Sequence, residues 1–252
     1  MSNAAAFLCL PVFAVMLGAQ EARLIVEEAQ RRTRAQSQRY EGTLEVIGNR
    51  GKIATKRWRY ERLGSHGSSK AVLRFTAPPE VKGVALLIHN HPDRASDQWM
   101  WTPALQRERR IALQDRSTRF FGTDFSFEDL EERDVDQFDF RLLGEEPLEG
   151  AACWKIEASP KKTRASQYTR SLLWIRKDNY AWVQMEGYKG QRLIRRVRYL
   201  DLELVQGIWT PRRLEVTDFT RNSRTVLRLD RLEYNVKLSD DGFTLQALRR
   251  ES

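Results

Sequence analysis

Cysteine is nearly absent: the 252-residue chain has two, Cys9 and Cys153. Cys9 lies in a leader expected to be removed, so no disulfide framework is available and the core must hold the fold. Histidine is as scarce, with only His66, His89 and His91. That leaves few bases to activate a nucleophile, and no Gly-x-Ser-x-Gly elbow occurs, so the chain does not read as an acyl-transfer enzyme or as an enzyme of another kind. His89 and His91 stand two apart, with Asp93 and Asp97 following. No third ligand of convincing spacing appears; the pair reads as turn histidines before Pro92, and no metal is expected. Phosphate-cradling glycine motifs are missing as well, and no cofactor is expected. With 14 Gly and 8 Pro against 41% apolar and 31% charged residues, collagen-like and disordered chains are excluded. After residue 20 no apolar run approaches the roughly 20 residues of a spanning helix.

What is present begins with charge. Forty-three Lys and Arg against 34 Asp and Glu give +9, which favours anionic partners. Arg192, Arg195, Arg196 and Arg198 could suggest nucleic acid, but they also suit the wet face of a strand among acidic neighbours, and no nucleic-acid partner is expected. From Ala4 to Ala19 the chain is uncharged and ends at Leu17-Gly18-Ala19. Although Met1-Ser2-Asn3 lacks the usual Lys or Arg, this stretch reads as a signal peptide over residues 1–20, leaving one domain over residues 21–252 of an exported, soluble protein.

The mature chain opens with a helix. Ala22, Ile25, Val26, Ala29 and Thr33 fall on one face, with Glu27/Arg31 and Glu28/Arg32 four apart on the other, and the spacing predicts an end near Ser37–Tyr40. Beyond it the period becomes two. About a dozen such segments, from Thr43–Ile47 to Arg224–Leu238, are separated by turn signals such as Asn49-Arg50-Gly51 and Asp240-Asp241-Gly242. Short turns between successive strands predict an antiparallel meander. Leu172-Leu173-Trp174-Ile175 is apolar on both faces, as a curved, covered sheet requires, and the phase slip at Asp230-Arg231 predicts a bulge.

Asp124, Glu128, Asp129, Glu131 and Glu132 are expected on the solvent side of a short helix whose other side is Phe125, Phe127 and Leu130, capped by Thr123 or Ser126. Phe120, Phe121, Phe125 and Phe127 lie within eight residues, near Trp99 and Trp101. They read either as ordinary core or as a plug for an apolar cavity, gated at Gly122.

The runs Phe75–Leu87, Asp97–Leu105, Arg109-Arg110-Ile111, Phe121–Leu130 and Gly207–Pro211 resemble, in order, the outer-membrane lipoprotein-sorting proteins of Gram-negative bacteria. The resemblance implies a mainly β fold with a few helices: one antiparallel sheet curved into an unclosed β-barrel wrapped around helices. It also implies a periplasmic location and a concave apolar face that holds acyl chains of lipoproteins or phospholipid-like lipids without catalysis. An inner-membrane transporter and an outer-membrane acceptor are the implied partners of a monomeric carrier. The candidate ligand-binding residues are then Phe120, Phe121, Phe125 and Phe127, with Trp99 and Trp101 beside them and Trp58, Leu73, Phe75 and Trp174 from apolar strands. The alternatives are a non-catalytic interaction module of the envelope and an accessory partner of an inner-membrane lipid exporter.

Overall fold

Helical spacing puts Ala22, Ile25, Val26 and Ala29 on one stripe, and all four are buried on α1 (Leu10–Arg32) of the computed structural model, which describes residues 10–250. Residues 1–9, with Cys9 and the start of the expected signal peptide, lie outside the described residues; the rest of that stretch, from Leu10, is part of the continuous helix α1. The helix stops earlier than its spacing suggests. Thr33 Oγ1 donates to the carbonyl of Gln30 at 3.0 Å, and Ser37–Tyr40 begin a strand instead, where Tyr40 stacks on Tyr60 with ring centroids 4.8 Å apart. A stacked cross-strand pair of this kind outweighs a fading helical periodicity.

Thirteen strands follow: β1 (Ser37–Ile47), β2 (Ile53–Leu63), β3 (Ser69–Ala77), β4 (Ala85–Asn90), β5 (Asp97–Thr102), β6 (Arg107–Arg110), β7 (Phe138–Leu148), β8 (Ala151–Pro160), β9 (Arg170–Arg176), β10 (Trp182–Lys189), β11 (Arg192–Val205), β12 (Ile208–Asp218) and β13 (Ser223–Tyr234). A short helix, α2 (Leu245–Arg249), ends the described chain. All strands join one antiparallel sheet in the order β6-β5-β4-β3-β2-β1-β13-β12-β11-β10-β9-β8-β7. Because β1 pairs with β13, the meander runs round almost a full circle, and the two strands at its edges, β6 and β7, are consecutive in the chain. The fold is therefore an up-and-down barrel left open at a single seam, as the resemblance implies, and residues 111–137 connect the two sides of the seam. The interior is occupied by α1 and by this connection, which carries only three-residue 3-10 turns. Opposite Arg39–Glu41, β13 spends one residue more between Glu233 and Asp230, and Arg231 takes φ +46°: the bulge lies where the phase slips.

Two-faced strands have a direct explanation. On β4, Leu86 and Ile88 face the main core, while Ala85 and Leu87 join Trp101, Phe243 and Leu248 in a second cluster beneath α2. On β9, Leu173 and Ile175 face inward, while Leu172 and Trp174 pack with Cys153 on the outer side. Burial of that Cys153 thiol raises its pKa above the usual thiol range.

Candidate functional site

The seam connection turns back on itself inside the barrel. Arg119 bridges to Ser126, Phe120 N–H donates to Phe125 O at 2.8 Å and Thr123 N–H to Phe120 O at 3.0 Å. Phe121 (φ +44°) and Gly122 (φ +74°) occupy the two central positions, both left-handed as a type I′ turn demands. Gly122 takes this conformation freely, whereas Phe121 takes it at a steric cost and is held by Lys56 Nζ, which donates to its carbonyl at 2.5 Å. The turn aims its rings at the inner face of β2 and β3. Phe120 stacks on Phe75 (5.3 Å between centroids) and meets Phe127 edge-on (5.6 Å), Phe121 lies 6.1 Å from Phe75, and Phe125 lies 5.9 Å from Trp58.

The acids of this segment do not decorate a solvent face. Glu128 and Asp129 fall within the short 3-10 turn Glu128–Leu130, and each of the five is tied to side chains from elsewhere in the fold. Asp124, fully buried, accepts from Arg119 Nη2 at 2.8 Å and from the hydroxyls of Ser223 and Thr225 on β13. Glu128 accepts from Ser166 Oγ and from Gln167 N–H at 2.9 Å. Asp129 accepts from Tyr168 Oη at 2.6 Å and from Arg195 of β11, and it closes a capping pair with Ser126. Glu131 meets Arg116, Gln98 of β5 and Arg164; Glu132 meets Arg62 of β2, Ser69 of β3 and the His66 N–H. An unpaired buried carboxylate costs several kcal/mol, so the segment is stable only when seated against every one of these partners. Burial raises the Glu131 carboxyl above the ordinary carboxylate range even against two arginines. Burial also opposes the charge on Arg195, but Asp129, Tyr168 and Asp218 outweigh it and raise its pKa. Arg195 is thus no part of a wet strand face; Arg196 and Arg198, one residue to either side of Val197, point outward and meet Glu186 and Glu215.

Together with α1, the seated segment does not fill the whole interior. Between it and β10–β12 lies a cavity of about 380 Å³, lined on its apolar side by Trp182, Met185, Val197, Leu202, Trp209 and Leu214. Its polar groups form a connected set: Thr33 Oγ1 contacts His66 Nε2 at 3.0 Å, the His66 N–H donates to Glu132, Arg62 pairs with Glu132, and Gln30 donates to the Arg133 carbonyl at 2.6 Å. A second hollow of about 230 Å³, lined by Tyr40, Trp58, Leu227, Leu229 and Leu232, shares Tyr60, Phe125, Asp129, Pro211 and Leu214 with the first. Burial pushes the Tyr60 phenol up to about 12 and raises Tyr199 as well.

The sequence-derived residues divide into two groups. Trp58, Leu73, Phe75, Phe120, Phe125 and Phe127 are buried together in the main core, with Phe121 half-buried against it. Of these, Phe125 and Trp58 line hollow space, whereas Phe75, Phe120 and Phe127 pack solidly. Trp99, Trp101 and Trp174 lie on the opposite side of the sheet, because alternation along β5 and β9 turns them outward: Trp101 and Trp99 pack under Phe243 and Leu248, Trp174 beside Cys153. They do not meet the cavity. Missing from the sequence-derived set are Met185, Val197, Tyr199, Leu202 and Leu214, ordinary strand residues marked only by alternation. His89 and His91 are partly buried, His89 contacting the Phe243 carbonyl at 2.9 Å and His91 contacting Asp97 at 3.0 Å.

A family model described as "-like: Uncharacterized protein" matches residues 67–250. A search of the curated proteins finds no match. Among solved structures, a DUF1329 family protein from Desulfovibrio piger is 28% identical with a TM-score of 0.87, over 92% of this chain and 99% of its own. A putative outer membrane lipoprotein-sorting protein domain from Vibrio parahaemolyticus is 24% identical with a TM-score of 0.87, over 92% and 100%. A LolA superfamily protein from Nitrosomonas europaea is 21% identical with a TM-score of 0.71, over 90% and 98%.

Proposed function

Because the chain belongs to the family whose model spans residues 67–250, and has the fold of the outer-membrane lipoprotein-sorting proteins, we propose that it is a non-catalytic carrier of acyl chains in the periplasm. The observation that carries this reading is the two-part apolar hollow between the seated connection and β10–β13, open space in an interior that close packing would otherwise fill. Its size falls in the range of small-molecule sites, and each methylene moved into it from water gains about 0.8 kcal/mol. In this reading Phe120, Phe127 and Phe75 are the fixed floor, and the ligand lies against Phe125, Trp58 and the apolar wall of β10–β12. The basic exterior would draw the carrier to anionic membrane surfaces, at about 1 kcal/mol per basic residue close to the surface. Cargo, a lipoprotein or a free lipid, would come from an inner-membrane transporter and pass to an outer-membrane acceptor. The test is native mass spectrometry of the protein taken from its own envelope. Acyl-bearing adducts displaced by added fatty acid support the reading; a bare mass in every preparation contradicts it.

A further inference from the structure

The other buried arginines that face the barrel interior are paired with carboxylates. Arg62 meets Glu132, Arg116 and Arg164 meet Glu131, and Arg195 meets Asp129 and Asp218. Arg133 is different. It lines the 380 Å³ cavity and is half-buried, yet among the described residues no carboxylate lies within 4 Å of its guanidinium. What holds it is weak and neutral: the Phe138 and Tyr168 rings at 5.4 and 5.8 Å, and a 3.4 Å bond donated from Nη1 to Ser171 Oγ. Two phenols in the same lining, Tyr60 and Tyr199, also find no hydrogen-bond partner among the described residues, and Arg133 is close enough to Tyr199 to lower its pKa against the effect of burial.

A half-buried guanidinium with spare donors, near the unpartnered Tyr199 hydroxyl in the lining of a largely apolar cavity, is an incomplete ion-pair site. The group that completes it must be anionic, must accept several hydrogen bonds, and must carry an apolar tail to lie against Trp182, Met185 and Leu214. Neutral esters and alcohols satisfy the wall but leave Arg133 without an anionic partner.

Resting on the carrier reading above, we infer that the cavity selects anionic single-chain amphiphiles, with the carboxylate or phosphate on Arg133 and the chain along β10–β12. Tyr199 donates to the same headgroup. The carboxylate of a fatty acid and the phosphate of a lysophospholipid share this chemistry.

The experiment compares oleate, 1-oleoyl lysophosphatidate and methyl oleate as competitors of a fluorescent acyl probe on the full chain. The expected result is that the two anions bind roughly 10-fold or more tightly than methyl oleate. Arg133→Gln should bring all three within about 3-fold of one another by weakening the anions alone, while Arg133→Lys keeps part of the preference. Tyr199→Phe, which preserves the shape and the arginine, should weaken the anions and not the ester, and it serves if Arg133→Gln fails to fold. Oleate ahead of lysophosphatidate identifies a fatty-acid site, and the reverse a phosphate-headed lipid. Equal binding of anions and ester by the unaltered protein overturns this inference and leaves the carrier reading standing; no binding of any of the three overturns the carrier reading itself.

Discussion

Asp124 and Thr225 hold each other twice: the threonine hydroxyl donates to Asp124 Oδ2 at 2.7 Å and accepts from the Asp124 N–H at 2.8 Å. One residue belongs to the connection across the open seam and the other to β13, on the far side of the barrel from that seam. The contact therefore fastens the interior segment to the wall opposite the seam. Replacing Asp124 with Ala removes the ion pair of Arg119 and leaves the buried Ser223 and Thr225 hydroxyls without their shared acceptor, and stability should fall by about 3–5 kcal/mol in urea unfolding. A loss below about 1 kcal/mol would show that the segment does not depend on this anchor.

A close approach on the wall gives a second prediction. A Cβ at Gly42 would lie 2.2 Å from Trp58 Nε1 and 2.8 Å from Leu227 Cδ1, so the indole seats only over a glycine. Gly42→Ala should cost about 1–3 kcal/mol, and Trp58→Leu in the same chain should recover part of it. Full additivity of the two losses would contradict the contact.

Acid stability should depend on Asp97. Hydrogen bonds from Arg94, and then from Arg110 and His91, hold its carboxyl well below the ordinary carboxylate range. A depressed folded-state pKa contributes stability that is complete above the unfolded value of about 4 and is lost as pH falls below it. Asp97→Asn should flatten the stability profile below about pH 4 relative to the parent, as read from unfolding midpoints across pH 2–6. Parallel acid limbs in the two proteins would contradict this.

The outer apolar cluster should matter to stability alone. Trp101→Ala removes the large ring beneath Phe243 and Leu248 and should cost about 3–5 kcal/mol, with acyl-probe affinity unchanged at temperatures where the variant is folded. A changed affinity would put Trp101 in the site after all.

The periodicities made much of this legible. Period-two segments with tight turns give a meander, and where strands such as Leu172–Ile175 are apolar on both faces, both faces are covered. The phase slip at Asp230-Arg231 is a real bulge. Face assignment failed where an apolar residue sits on either side: nothing local distinguishes Trp101 from Met100, since which of them faces inward depends on register against β4 and β6. The acids of 124–132 misled for a different reason. Taken as a helix, Asp124, Glu128 and Glu131 share one stripe, but Asp129 and Glu132 share the next with Phe125, so acid and apolar residues never separate. That mixture is the mark of buried, paired carboxylates, and their partners Arg195, Ser223 and Thr225 lie too far along the chain for spacing to reveal them.

The central claim is that acyl chains occupy the hollow between the seated connection and β10–β12. Leu214 lines both parts of it, so Leu214→Trp should fill the space where they meet. The most direct measurement is titration of cis-parinaric acid into the parent and into Leu214→Trp, with melting temperatures recorded on the same samples. Saturable binding by the parent, weakened about tenfold or more in a variant that still melts cooperatively, is the predicted result; binding by the parent no stronger than to an equally basic control protein, or binding untouched by the filled cavity, would contradict it.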